Sequence, residues 1–134
     1  MEAKELMIGN LFKFENKVYT VCGINHEGSV IIDTDEDWLE KDVYIEPIQI
    51  TEDWLIKNGF KKFYDEICEF SYYTKEVDGN YIDIKLDCSN IDENHVVCHV
   101  DNCDRESIGC ADIQYVHQLQ NLLNVLNIEM KVEL

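Results

Sequence analysis

Proline occurs once in this chain, at Pro47, arginine once, at Arg105, and glycine only six times. Each scarcity excludes something. Six glycines leave little from which to build a phosphate cradle, and neither a glycine-rich phosphate loop nor G-x-S-x-G occurs. The 11 basic residues face 28 acidic ones, for a formal net charge of −17. Direct nucleic-acid binding is therefore disfavoured, because affinity for a polyanion comes mainly from Lys and Arg displacing condensed counterions. Uncharged apolar runs extend over only a few residues, far short of the ~20 needed to span a bilayer. The N-terminal stretch Met1-Glu2-Ala3-Lys4-Glu5-Leu6 lacks the basic and apolar regions of a signal peptide, and neither end carries a lipidation motif. These absences together lead to the expectation of a soluble cytoplasmic protein with no membrane contact.

What is present is ordinary globular material. With 46% apolar and 29% charged residues, the chain lies outside the disordered range. Its 134 residues suffice for a single compact domain, 1–134, with possible subdomains at 1–50 and 51–134. The acidic excess is spread: 4 basic against 11 acidic residues in 1–50, 6 against 14 in 51–110, and 1 against 3 in 111–134. A spread of this kind describes an acidic folded surface, not an acidic tail. It suits a basic partner protein, or solubility alone.

The best-marked segment runs from Ile45 to Phe60. Thr51 is placed to cap a helix, and Glu52 and Asp53 put negative charge at its positive end. Ile50 can staple onto Leu55, Gly59 supplies a left-handed stop, and Phe60 can fold back on Leu55. So short a helix is not stable alone, which requires Trp54 and Leu55 to be buried. The segment reads as a clamp between two sheet regions.

Around it, strands are expected at residues 11–14, 17–24, 29–33 and 42–46, a small SH3-like curled sheet. Residues 62–74 read as one or two strands, and Asp78-Gly79 as a hairpin turn needing two positive φ angles. Ile82, Ile84, Leu86 and Cys88 alternate with polar residues as a half-buried strand, Ser89–Asn94 forms a turn, and 95–100 makes a further strand. Residues 101–110 read as an irregular cysteine-containing loop. A helix is expected from Ile113 to Leu126 with Asp112 as N-cap, followed by a last strand through Met130, Val132 and Leu134. The expected fold is α+β and mostly antiparallel: a curled N-terminal sheet, a linking helix, a β-meander and an amphipathic C-terminal helix.

Three stretches carry a resemblance: Leu6-Met7-Ile8-Gly9-Asn10, the segment Ile45–Phe60, and Ile113-Gln114-Tyr115-Val116-His117-Gln118-Leu119-Gln120-Asn121-Leu122. Together they resemble a set of small proteins of unassigned activity encoded widely in Bacteroidetes genomes, often in prophage-like or mobile regions. The resemblance implies a bacterial or phage cytoplasmic origin and no activity. The cysteine-rich stretch 98–110 falls outside its pattern.

Candidate sites are few. Cys98, Cys103 and Cys110, with His95 and His99, form the one conceivable metal cluster, but zinc sites favour paired Cys-x₂₋₄-Cys and the spacings here are x₄ and x₆ with no second pair. Cys98 also shares a strand face with Val96 and Val100, where cysteine behaves as a small apolar residue. Cys22, Cys68 and Cys88 read as core. Without an export signal the six thiols are expected to stay reduced. Asp33-Thr34-Asp35-Glu36-Asp37 begins like a calcium loop, yet Trp38 and Tyr44 stand where glycine and glutamate are required, so it reads as a solvated turn. His117 borders the apolar helix face, either buried on a backbone carbonyl or part of a recognition face with Gln118, Gln120 and Asn121. Phe63, Tyr64, Phe70, Tyr72, Tyr73 and Tyr81 crowd the middle strands on both faces, so that some rings either reach a surface or lie under a helix. The reading that follows is a non-enzymatic acidic accessory protein, without cofactor or metal, that binds another protein through an aromatic sheet face. The alternatives are a DNA-mimic inhibitor of a nucleic-acid-binding protein and a small zinc-stabilised regulator.

Overall fold

The computed structural model describes residues 1–2, 5–32, 37–40, 43–67, 69–87 and 95–133. The chain is α+β, with two antiparallel sheets and two helices among these residues. It divides into two units: Met1–Gln49 with Tyr115–Asn121, and Ile50–Gln114 with Leu122–Leu134.

The first unit holds four strands in sequential order, β1 (Leu11–Phe14), β2 (Lys17–Ile24), β3 (Val30–Ile32) and β4 (Asp37–Leu39). The two-residue turn between β1 and β2 places Glu15 at φ 49° and Asn16 at φ 64°, the double positive φ that matches strand twist. Leu6, Phe12, Val21, Val30, Ile32, Leu39 and Ile45 form its buried cluster. Strand β4 corrects the expected 42–46. Tyr44 and Glu46 make only isolated bridges, to Glu2 and Lys13, and Glu46 bonds both backbone groups of Lys13 at 2.8 Å. The chain thereby returns to the outer side of β1 without forming a fourth ladder there. Most of the acidic turn, residues 33–36, lies outside the described residues, and Asp37 opens β4.

The second unit opens on helix α1 (Glu52–Lys57). Thr51 Oγ1 accepts from the Trp54 N–H at 3.2 Å, and Trp54 and Leu55 are buried, as their spacing requires. Gly59 at φ 86° ends the helix with two reverse bonds, Phe60 N–H to Leu55 O at 3.0 Å and Gly59 N–H to Ile56 O at 3.1 Å. Five strands follow as a meander: β5 (Lys61–Asp65), β6 (Phe70–Val77), β7 (Asn80–Asp87), β8 (His95–Asp101) and β9 (Ser107–Ile113). Asp78 at φ 51° and Gly79 at φ 79° make the β6–β7 turn, joining the pair Val77 and Asn80. One face of this sheet is buried through Tyr73, Ile82, Ile84, Val96, Cys98, Val100 and Ile113.

Three expectations give way here. The stretch 101–110 is not all loop, because Ser107–Cys110 belong to β9. Helix α2 spans Val116–Val125 and not Ile113–Leu126, since Ile113 is spent in β9 opposite Val96. Asp112 is consequently a strand residue; instead Gln118 Oε1 accepts from the Tyr115 N–H at 3.1 Å, half of a capping box. The expected last strand is absent from residues 129–133, where Glu133 pairs its N–H and C=O with the Asn58 side chain at 2.7 and 2.8 Å. Leu134, Cys68, Cys88 and the turn Ser89–Asn94 lie outside the described residues.

Candidate interaction face of the five-stranded sheet

Alternation along a strand sends successive side chains to opposite faces, so burying Tyr73, Ile82, Ile84 and Cys98 turns their neighbours to the other side. The register sets Phe63 beside Tyr72, Thr74 beside Asp83, Asp83 beside His99, and His99 beside Cys110 on that outer face. Phe63 and Tyr72 stack at 5.7 Å between centroids, and Tyr72 meets Phe70 at 6.2 Å. These three rings form a ridge across β5 and β6. Phe63 is 47% exposed, while Phe70 and Tyr72 are half-buried. Tyr73 takes the opposite side and is buried, so the aromatic residues do divide between the two faces.

Cations flank the ridge. Lys85 Nζ lies 4.2 Å from the Phe70 centroid. Arg105 lies 3.7 Å from the Tyr81 centroid and reaches Asp83 at 3.3 Å and Asp101 at 3.6 Å. Its placement comes from the β8–β9 turn: Asn102 Oδ1 accepts from the Asp104 and Glu106 N–H groups at 3.0 Å, which holds Arg105 at φ 62°. Thr74 Oγ1 donates to Asp83 at 2.7 Å, so this carboxylate has both a neutral and a charged partner. A shallow hollow of about 480 Å³ opens among Phe70, Tyr72, Lys85, Val97, His99 and Asp101. A face of rings, paired charges and a concavity can make contact at low entropic cost.

Among the described residues the cysteine cluster does not assemble. Cys98 is fully buried, and desolvation pushes its thiol up to about 12. Cys110 stands on the outer face, Cys103 is exposed in the turn, and among the described residues no three His, Cys, Asp or Glu side chains converge as metal ligands. His95 opens β8, and its side chain lies outside the description. What sequence spacing missed is that Cys110 Sγ meets His99 Nε2 at 3.5 Å across the ladder. Only the strand register brings these residues together. Cys22, expected in the core, is exposed, because its neighbour Val21 takes the inward position on β2.

The Gln/Asn/His face of α2 is engaged within the first unit. Gln120 accepts from the Leu11 N–H and donates to Gly9 O, each at 3.0 Å, and Asn121 Oδ1 accepts from Asn10 Nδ2 at 2.7 Å. These amides hold the loop before β1, which weighs against their use in recognition. His117 is 5% exposed, and burial lowers its pKa. It stacks on Tyr115 at 5.8 Å beside a hollow of about 480 Å³, and among the described residues its Nδ1 has no partner, so a carbonyl bond is not made at that nitrogen.

Among the described residues no helix is long and apolar enough to cross a membrane. Comparison of the chain with protein-family models, with curated proteins and with solved structures finds no match.

Proposed function

We propose that the protein is a non-enzymatic, acidic accessory module that binds another protein through the outer face of its five-stranded sheet. The observation that carries this reading is the ridge Phe63–Tyr72–Phe70, with Phe63 stacked and Phe70 tilted on Tyr72, partly solvent-facing, and with Lys85 and Arg105 set over aromatic rings of the same face. Stacked tyrosine and phenylalanine lose little conformational freedom on contact and supply large apolar area, as interface anchors do. A cytoplasmic setting and the Bacteroidetes mobile-element origin implied by the resemblance are part of the same proposal.

The DNA-mimic alternative needs carboxylates aligned on one face at phosphate-like spacing. On this face Asp83 and Asp101 are held by Arg105, and Lys85 stands among them, which favours the aromatic contact over the mimic. A zinc-stabilised regulator draws no support from cysteines on opposite faces of the sheet. The test is a tagged pull-down from the host's lysate, eluted across a salt gradient. A partner held at high salt supports the aromatic contact; a nucleic-acid-binding protein released by moderate salt points to the mimic.

A further inference from the structure

The outer strand of the five-stranded sheet carries a pattern that complements itself. Strand β5 reads Lys61-Lys62-Phe63-Tyr64-Asp65, pairs with β6 on one side, and has no strand on its other side among the described residues. Natural edge strands are blunted by bulges, prolines, cover or charged side chains such as lysine. Strand β5 carries Lys61 and Lys62, so a second copy can pair there only in a register that gives these charges suitable partners. Here the β5–β6 register is unbroken, and Lys61, Lys62, Phe63 and Tyr64 are all exposed. Tyr64 is 61% exposed, and Ile67 just beyond the strand is 94% exposed.

We propose that β5 pairs antiparallel with β5 of a second copy, about a two-fold axis through Phe63, giving one continuous ten-stranded sheet. A two-fold perpendicular to the sheet keeps each face on its own side, so only residues of like parity can stand opposite each other. Three registers can be centred within the strand. Centring on Lys62 sets that lysine against itself. Centring on Tyr64 sets that ring against itself but Asp65 against Phe63 twice, and Lys62 meets an acid, Glu66, only beyond the end of the strand. Centring on Phe63 sets Lys61 against Asp65 of the other copy twice, Lys62 against Tyr64 twice, and Phe63 against Phe63. Opposite charges and aromatic pairs directly across a ladder are favourable, and like charges are not. The chosen register therefore places oppositely charged partners at both ends and rings at the centre.

The register also continues an existing stack. Phe63 already lies against Tyr72 at 5.7 Å, so the two-fold extends the ridge as Tyr72–Phe63–Phe63–Tyr72 across the axis. Five paired residues bury little area next to a standard interface, so the dimer is a weak one that forms with concentration. This inference does not rest on the heterologous contact proposed above, since self-association needs no other protein.

Sedimentation velocity of the full chain, from about 5 µM to about 1 mM in ~0.15 M salt to screen the acidic surfaces, reads the dimer directly. Two variants test the register: Lys61→Asp and Asp65→Lys. Each alone puts like charges at both ends, and the expected result is a monomer where the parent chain dimerises. Mixed in equal amounts they are complementary, and the dimer returns as a heterodimer. The proposal is overturned by a parent chain that stays monomeric throughout, by a dimer that survives both single changes, or by a mixture that stays monomeric. Asp65 also accepts the Ile67 N–H at 2.9 Å, so Asp65→Lys can loosen the turn. Amide exchange in the unaltered chain decides independently: exchange across Lys61–Asp65 slows as concentration rises if the strand pairs, and is independent of concentration if it does not.

Discussion

Asn58 closes helix α1 and fastens the C-terminal segment to it, so replacing it with alanine tests several bonds at once. Its Nδ2 donates to Trp54 O and to Glu133 O, both at 2.8 Å, and its Oδ1 accepts from the Glu133 N–H at 2.7 Å. The residue is 5% exposed, which keeps these groups from exchanging freely with water. Each bond contributes about 0.5–1.5 kcal/mol net, and the two that share Glu133 are taken toward the lower figure because they are not independent. Asn58→Ala is therefore expected to cost about 2–3 kcal/mol, or roughly 8–12 °C in Tm for a chain of this size. Urea unfolding followed by tryptophan fluorescence measures it, since Trp54 sits one turn before Asn58. Glu133→Pro removes the same N–H from the other side, and the double variant should show coupling of about 1 kcal/mol. A loss below about 0.5 kcal/mol for Asn58→Ala, or full additivity in the cycle, would refute the pairing.

Other outcomes follow from packing and burial. A Cβ at Gly109 would stand 2.9 Å from Leu126 Cδ1, so Gly109→Ala should cost about 1 kcal/mol by thermal melt, with the penalty gone in a Leu126→Ala background. Iodoacetamide at pH 8 should label Cys22, Cys103 and Cys110 rapidly and Cys98 only on unfolding, because burial holds the Cys98 thiol at about 12; peptide mass mapping would show otherwise if Cys98 labels with the rest. His117, lowered from its ordinary 6.5 by burial against a smaller opposing pull from Glu5, stabilises the neutral form of the fold. Its contribution is full above the unfolded value and is lost as pH falls through the lowered folded value. The fall in Tm between about pH 7 and pH 5 should therefore shrink in His117→Phe, and an unchanged slope would exclude this source.

Local chemistry in the sequence carries much of this fold. The Thr51 cap, the Gly59 stop and the Asp78-Gly79 turn depend on residues a few positions apart, and each forms as its spacing requires. Strand β9 was illegible for a physical reason: between Ser107 and Ile113 its inward residues include Gly109 and Ala111, which fit against larger neighbours and leave no hydrophobic alternation. Ile113 satisfies both a helical spacing to Val116 and a strand position opposite Val96, and only the sheet decides between them. Met130 and Val132 alternate like a strand, but the Asn58 side chain captures Glu133 in place of a ladder. At the site, the aromatic residues and their division between faces were visible by parity. Which face stays open was not, because that depends on what covers the sheet. The meeting of Cys110 with His99, and of Arg105 with Asp83 and Tyr81, depends on pairing between distant strands.

The account stands most directly on the ridge. Its decisive measurement is the affinity of the salt-resistant partner, once recovered, for the parent chain and for a Phe63→Ser/Tyr72→Ser variant whose melting curve shows it folded. The rings are expected to act as anchors, so binding should weaken at least tenfold, about 1.4 kcal/mol or more, with a smaller negative heat-capacity change. Equal affinity for the two chains would place the contact elsewhere and contradict the assignment of this face.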